Sequence, residues 1–197
     1  MKTTTMVVIT GPMFSGKSED IIGRLRRAVE GEKRVLVIKP KKDSRTSNEI
    51  VSRGRRNGKF EIIERFPAYP IATLDELKAI FKAKDPEVLG IDEAQFFEPW
   101  FFEFVFELLR SRRDISIIVS GLDTDAWGRP FGIMPNLMAI ADETVKKKAI
   151  CARCKDEEAI MSQKKTAGSG GQIEVGDFDK YEPRCRKCHT PPEENPA

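Results

Sequence analysis

The stretch Gly11-Pro12-Met13-Phe14-Ser15-Gly16-Lys17-Ser18 constrains this chain most. It fits the phosphate-cradling pattern G-x-x-x-x-G-K-[ST] at every fixed position. The apolar run 6–9 precedes it, and an amphipathic segment opens directly after it. The glycines let the loop turn backbone N–H groups toward one point. That point lies at a helix N-terminus, where the dipole favours anions. Lys17 is then placed to reach β- and γ-phosphates, and Ser18 to put its hydroxyl on Mg2+. A strand that feeds such a loop and helix is the starting unit of a parallel sheet.

The rest of the chain bounds what surrounds that loop. Its 197 residues suffice for one full core and a small appended module. Lys and Arg number 34 against 31 Asp and Glu, a net charge of +3. That balance demands neither nucleic acid nor an anionic membrane as partner. No apolar run approaches the ~18–20 residues of a membrane span. The aromatic-rich stretch 96–109 is interrupted by Glu98, Glu103 and Glu107. The N-terminal apolar run is too short for a secretory signal and leads straight into the loop. The expected location is therefore a reducing cytoplasm, where the four cysteines read as metal thiolates rather than disulfides.

Apolar runs alternate with helical patterns. Strands are expected at 6–10, 35–39, 62–65, 88–91 and 115–120. Helices are expected at 17–30, with Ile21, Ile22, Leu25 and Val29 inward and Gly31 as the stop, and at 74–84, with Thr73 as cap and Leu74, Leu77, Ile80 and Phe81 inward. A third is expected at 99–112, with a core stripe of Phe97, Phe101, Phe104 and Leu108. Residues 41–60 hold Arg45, Arg53, Arg55, Arg56 and Lys59 with few apolar residues, and read as a mobile basic loop. The alternation implies an α/β fold: a parallel sheet flanked by helices, of the P-loop NTPase kind. The pattern changes near Lys146-Lys147-Lys148. We therefore divide the chain into 1–145, a cysteine-bearing module at 146–190, and a Pro/Glu-rich tail at 191–197 that reads as disordered.

Two further clusters carry chemistry. The apolar run Val88-Leu89-Gly90-Ile91 ends in Asp92-Glu93. Ligands gather at the carboxyl ends of such strands, so Asp92 is the natural partner for Mg2+. Glu93 reads either as the acceptor of a hydroxyl proton or as a solvated carboxylate; spacing alone does not choose. Cys151-Ala152-Arg153-Cys154 and Cys185-Arg186-Lys187-Cys188 together read as a four-thiolate zinc ribbon, with iron–sulfur or free thiols as alternatives. Four thiolates close a tetrahedral site, so such zinc is structural and the lone histidine, His189, a bystander. The intervening segment carries Gly-Ser-Gly-Gly and looks like a flap clamped at its base.

These elements together resemble the zinc-containing, cytosolic type of thymidine kinase. The resemblance rests on the phosphate loop with Glu19 after it, Asp92-Glu93-Ala94-Gln95-Phe96-Phe97, Gly121-Leu122-Asp123, Pro130-Phe131-Gly132, both cysteine pairs and Asp179-Lys180-Tyr181. It spans about residues 6–189. It implies transfer of the γ-phosphoryl of ATP to the 5′-hydroxyl of thymidine, with deoxyuridine as a second acceptor, in a cytoplasmic homotetramer using Mg2+ and structural Zn2+. Residues 1–145 would then be the ATP-binding kinase domain and 146–190 the zinc-binding lasso domain. Glu93 would be the general base. Gly11 to Ser18, Asp43, Ser44, Arg45, Asp92, Glu93, Ala94 and Gln95 would serve ATP. Met13, Phe96, Leu122, Phe131 and Ser162 would line the thymine pocket, and Gln172, Ile173, Glu174, Val175, Gly176 and Tyr181 would belong to the closing lasso.

One position departs from the family pattern. Relatives commonly carry an aromatic residue four positions after the leucine of Gly-Leu-Asp; here that position is Ala126, followed by Trp127. We expect Trp127 to supply part of the missing ring. Rival readings fit less well. There is no N-K-x-D segment for guanine, as a GTPase would need. A nucleoside monophosphate kinase carries its zinc lid mid-chain, not near the end. An ATP-driven nucleic-acid binder would find support in the basic residues of 41–60 and Lys146-Lys147-Lys148, but aromatics, which such binders interleave, are sparse among those charges.

Overall fold

The computed structural model describes residues 4–56, 59–165 and 180–192. Six strands form one parallel sheet: β1 (Thr5–Thr10), β2 (Val35–Pro40), β5 (Tyr69–Ile71), β6 (Val88–Ile91), β7 (Ser116–Gly121) and β8 (Glu143–Lys146), in the order β5-β2-β6-β7-β1-β8. Because every pairing is parallel, all carboxyl ends lie along one edge. The central strands are apolar without a polar face because helices cover both sides. Side chains alternate between two cores. Met6 and Val8 join the core under α2 (Leu74–Lys84), α3 (Pro99–Ser111) and α4 (Met134–Ile140). Val7 and Ile9 join the other, against Ile21, Ile22 and Leu25 of α1 (Lys17–Glu30).

Local signals explain the helix ends. Thr73 caps α2 in a reciprocal capping box with Glu76, and Pro99 opens α3 where its missing N–H costs nothing. Two inward assignments shift. Val29, in the last turn of α1, is 51% exposed. In α3 the fully buried positions are Phe101 and Val105; Phe104 instead meets Phe81 of α2 edge-on at 5.6 Å.

The expected basic loop is largely ordered structure. β3 (Glu49–Arg56) and β4 (Lys59–Pro67) form an antiparallel ladder with a register shift between Ser52 and Arg53. Ile50 inserts into the α1-side core and anchors the ladder there. The expected strand at 62–65 falls within β4, while β3 is hidden in the sequence by its charged and polar composition. After Lys146 the chain leaves the sheet. Two short antiparallel ladders follow, β9 (Ala149–Ile150) with β10 (Glu158–Ala159), and β11 (Met161–Lys164) with β12 (Tyr181–Arg184).

Candidate functional site

The loop that fits the phosphate-cradling pattern joins the end of β1 to α1. Gly16 stands at the helix N-cap in the left-handed region (φ 80°) with no side-chain cap, so the first-turn N–H groups point outward unclaimed by any cap. Lys17 lies buried, with Nζ donating to the Pro12 carbonyl at 2.7 Å. Ser15 Oγ donates to the same carbonyl at 2.8 Å. Burial lowers the Lys17 pKa to about 8, while the nearby Glu93 and Asp92 charges oppose that shift. Gly11 has φ 132°, and a Cβ there would stand 2.2 Å from the Lys147 carbonyl oxygen. Gly11→Ala is therefore expected to lower unfolding stability by about 1–3 kcal/mol, read by urea denaturation.

Asp92 and Glu93 leave the end of β6. Asp92 is buried, and its Oδ1 has no hydrogen-bond partner among the described residues. Burial, reinforced by the Glu93 charge, raises its pKa. A buried carboxylate oxygen with no donor is a fit for a cation, and Ser18 borders the same small cleft. Glu93 occupies the left-handed region (φ 52°), rare for a side-chain-bearing residue. Arg45 Nη2 meets Glu93 Oε1 at 2.5 Å. Arg45 also holds Asp43 at 2.6 Å, and Asp43 holds the fully buried Lys39 at 2.9 Å. Burial alone would raise the Glu93 pKa, but Arg45 outweighs it, and the carboxyl sits below its usual range.

One open cavity gathers most of the expected residues. Its walls include Met13, Phe14, Ser15, Gly16, Lys17, Ser18, Arg45 and Glu93, and then Phe96, Leu122, Ala126, Trp127, Phe131, Ser162 and Tyr181. Phe96 and Phe131 meet edge-to-face at 5.8 Å. Trp127 Nε1 is buried without a partner among the described residues. Gly11 and Pro12 lie buried behind the loop, Ser44 is exposed, and Ala94 and Gln95 are buried behind Glu93. Gln172, Ile173, Glu174, Val175 and Gly176 lie outside the described residues, as do 193–197 of the expected tail.

The sequence reading did not assign Val51, Ser52 or Arg53 of β3, nor Thr124, Asp125 and Lys164, to this cavity. The β3 residues were missed with the ladder itself. Lys39 had a signal: a lone cation ending an apolar strand, four residues before Asp43.

The four cysteines converge. Their Sγ atoms all lie within 4.8 Å of one another. Tetrahedral ligands at ~2.3 Å from one ion stand roughly 3.8 Å apart, so the cluster fits zinc. His189 stays outside it; its Nε2 donates to the Ala126 carbonyl at 3.0 Å. Ser162 Oγ on β11 accepts the Met13 N–H at 3.0 Å. The cysteine-bearing segment thus touches both the phosphate loop and the Ala126 wall.

The sequence model of the family described as thymidine kinase matches residues 4–189. The chain belongs to the thymidine kinase family. It is 39% identical over 184 residues to the thymidine kinase of Mesomycoplasma hyopneumoniae strain 7448, covering 93% of this chain and 94% of that one. It is 41% identical over 189 residues to that of Coprothermobacter proteolyticus, covering 94% and 90%. Against the thymidine kinase of Metamycoplasma arthritidis it is 42% identical over 190 residues, covering 93% and 89%. Among the described residues no helix is long and apolar enough to cross a membrane.

Proposed function

We propose that this chain transfers the γ-phosphoryl of ATP to the 5′-hydroxyl of thymidine, with deoxyuridine as a second acceptor. One observation carries the reading: a single cavity joins the phosphate loop, Glu93 and an aromatic–aliphatic wall. Phosphoryl transfer asks a protein for positioning and charge stabilisation, and this cavity offers both. The first-turn N–H groups of α1, with Lys17, bind the polyphosphate. Lys17 leaves the Pro12 carbonyl for phosphate oxygens. Arg45, already bridging Asp43 and Glu93, turns toward the transferring group. Glu93 takes the proton of the 5′-hydroxyl.

Mg2+, held by Ser18 and Asp92, would neutralise charge on the β- and γ-phosphates. Phe96, Phe131, Leu122, Met13 and Trp127 pack the base, and Ser162 and Tyr181 bound its far side. The segment carrying Gln172 to Gly176 would close over the nucleoside and keep water from the phosphoryl group. Residues 146–190 act as a zinc-held module on the 1–145 domain, with zinc structural. A cytoplasmic homotetramer completes the proposal.

The test is labelled ATP with a nucleoside panel and zinc-loaded protein. Transfer to thymidine is expected; transfer only to a different acceptor, such as a nucleoside monophosphate, overturns the reading. Trp127→Ala is expected to raise thymidine KM about fivefold or more with kcat nearly unchanged, since stacking on a base is worth ~1–3 kcal/mol. An unchanged KM removes Trp127 from the pocket's energetics. The rival nucleic-acid reading loses its basic run: Lys146 pairs with Asp123 at 2.6 Å, Lys147 with Asp20 at 3.0 Å, and Lys148 with Glu158.

A further inference from the structure

Gln95 is 1% exposed and borders neither the main cavity nor the smaller cleft beside Asp92. Its side-chain amide is nonetheless engaged at both ends. Nε2 donates to Glu93 Oε2 at 2.5 Å, and Oε1 accepts the Leu122 backbone N–H at 3.0 Å. A backbone N–H can only donate, and a carboxylate can only accept. The amide oxygen must therefore face Leu122 and its nitrogen Glu93.

The surroundings leave Gln95 no room to swing out. A Cβ on Gly121 would lie 2.7 Å from Gln95 Oε1, and one on Gly132 would lie 2.4 Å from the Gln95 carbonyl oxygen. Both neighbours are glycines, so chain segments following β7 close directly onto Gln95. The two oxygens of Glu93 are thus held from opposite sides. Arg45 holds Oε1 from a segment that lines the cavity and can answer to phosphate. Gln95 holds Oε2 from the buried side, in the single 3-10 turn 94–96 that Glu93 itself caps.

We propose that Gln95 is a positioning residue that does not touch ATP. It fixes the Glu93 carboxylate against Leu122, and so against the wall on which the acceptor nucleoside rests. The proposal rests on the reading of Glu93 as the base for a nucleoside hydroxyl. It also separates two holds on that base. The Arg45 hold is exchangeable when polyphosphate enters, and the Gln95 hold persists through the transfer.

Two variants separate the two ends of the amide. Gln95→Met keeps size and loses both hydrogen bonds. Gln95→Glu keeps an acceptor for the Leu122 N–H but turns a carboxylate toward Glu93. The measurements are kcat, ATP Kd, thymidine KM and hydrogen exchange at the Leu122 amide, with thermal unfolding as the control for folding. Both variants are expected to lose about 10²-fold in kcat, the scale of a ~1 Å misplacement, with ATP Kd unchanged. The Leu122 amide should lose protection in Gln95→Met and keep it in Gln95→Glu, a split that general destabilisation does not produce.

The idea is overturned if Gln95→Met weakens ATP about tenfold or more while kcat holds, which would make Gln95 a nucleotide ligand. It is equally overturned if kcat in both variants stays within about twofold of the parent. Should Gln95→Met fail to fold, Gln95→Asn replaces it, because the shorter amide cannot span both partners. If the parent protein phosphorylates no nucleoside, the proposed function fails on that result alone. The exchange pattern still decides the tether: an equally protected Leu122 amide in Gln95→Met breaks it.

Discussion

Glu93→Gln is expected to cut kcat for thymidine by about 10²–10⁴-fold while ATP binds as before. The carboxylate borders the cavity between the phosphate loop and the aromatic wall. It is ionised in the resting protein, because Arg45 offsets the burial that would otherwise protonate it. A lowered carboxyl pKa means that the charged base is present at neutral pH and is lost only as pH falls through that lowered value. The amide of glutamine keeps the shape and cannot accept the proton. ATP Kd by calorimetry and single-turnover transfer rates check the two halves of the statement. A loss smaller than about tenfold would remove general-base catalysis by Glu93 from the mechanism.

Removal of the zinc ligands should produce the other large effect. Cys151→Ser, or treatment with a strong chelator, is expected to unfold residues 146–190 and raise thymidine KM at least about tenfold, with ATP affinity retained in the main domain. The physical reason is the small core that the module's described residues form. Its buried cluster contains Cys151, Ala159 and Cys185, two of them metal-ligand candidates. A segment of that size with so small a core needs a metal to fold, and structural zinc supplies ~10–16 kcal/mol in small peptides. The site feels the loss through two contacts, Ser162 Oγ with the Met13 N–H and His189 Nε2 with the Ala126 carbonyl. Metal content by mass spectrometry, amide spectra and nucleoside KM test this together. A metal-free protein with an unchanged thymidine KM would show that the module does not shape the pocket.

Much of the fold was legible in local pattern. Helices α1 and α2 end where their caps and stop signals stand, and β6 spans the apolar run before Asp92. Of the β3–β4 ladder only the stretch 62–65 was legible; β3 was not. β3 is rich in charged and polar residues, and its deep anchor, Ile50, packs on a helix far away in sequence. Val29 misled for the opposite reason: helical spacing marks a stripe, but only the tertiary structure decides where the stripe stops being covered.

By itself the sequence marked the proposed donor side of the site and the two halves of the metal cluster, because each is written in a few contiguous residues. Gly11 to Ser18 fit a phosphate-loop pattern between a strand and a helix, and each C-x-x-C turn brings its own two thiolates together. Only the tertiary structure decided how Glu93 is held and which distant segments meet at the pocket. Arg45 and Gln95 grip opposite oxygens of Glu93, and Ser162 reaches a Met13 amide 149 positions away in the chain. Such contacts depend on which strands become neighbours. That is settled by how helices cover both faces of the sheet, not by any local run of residues.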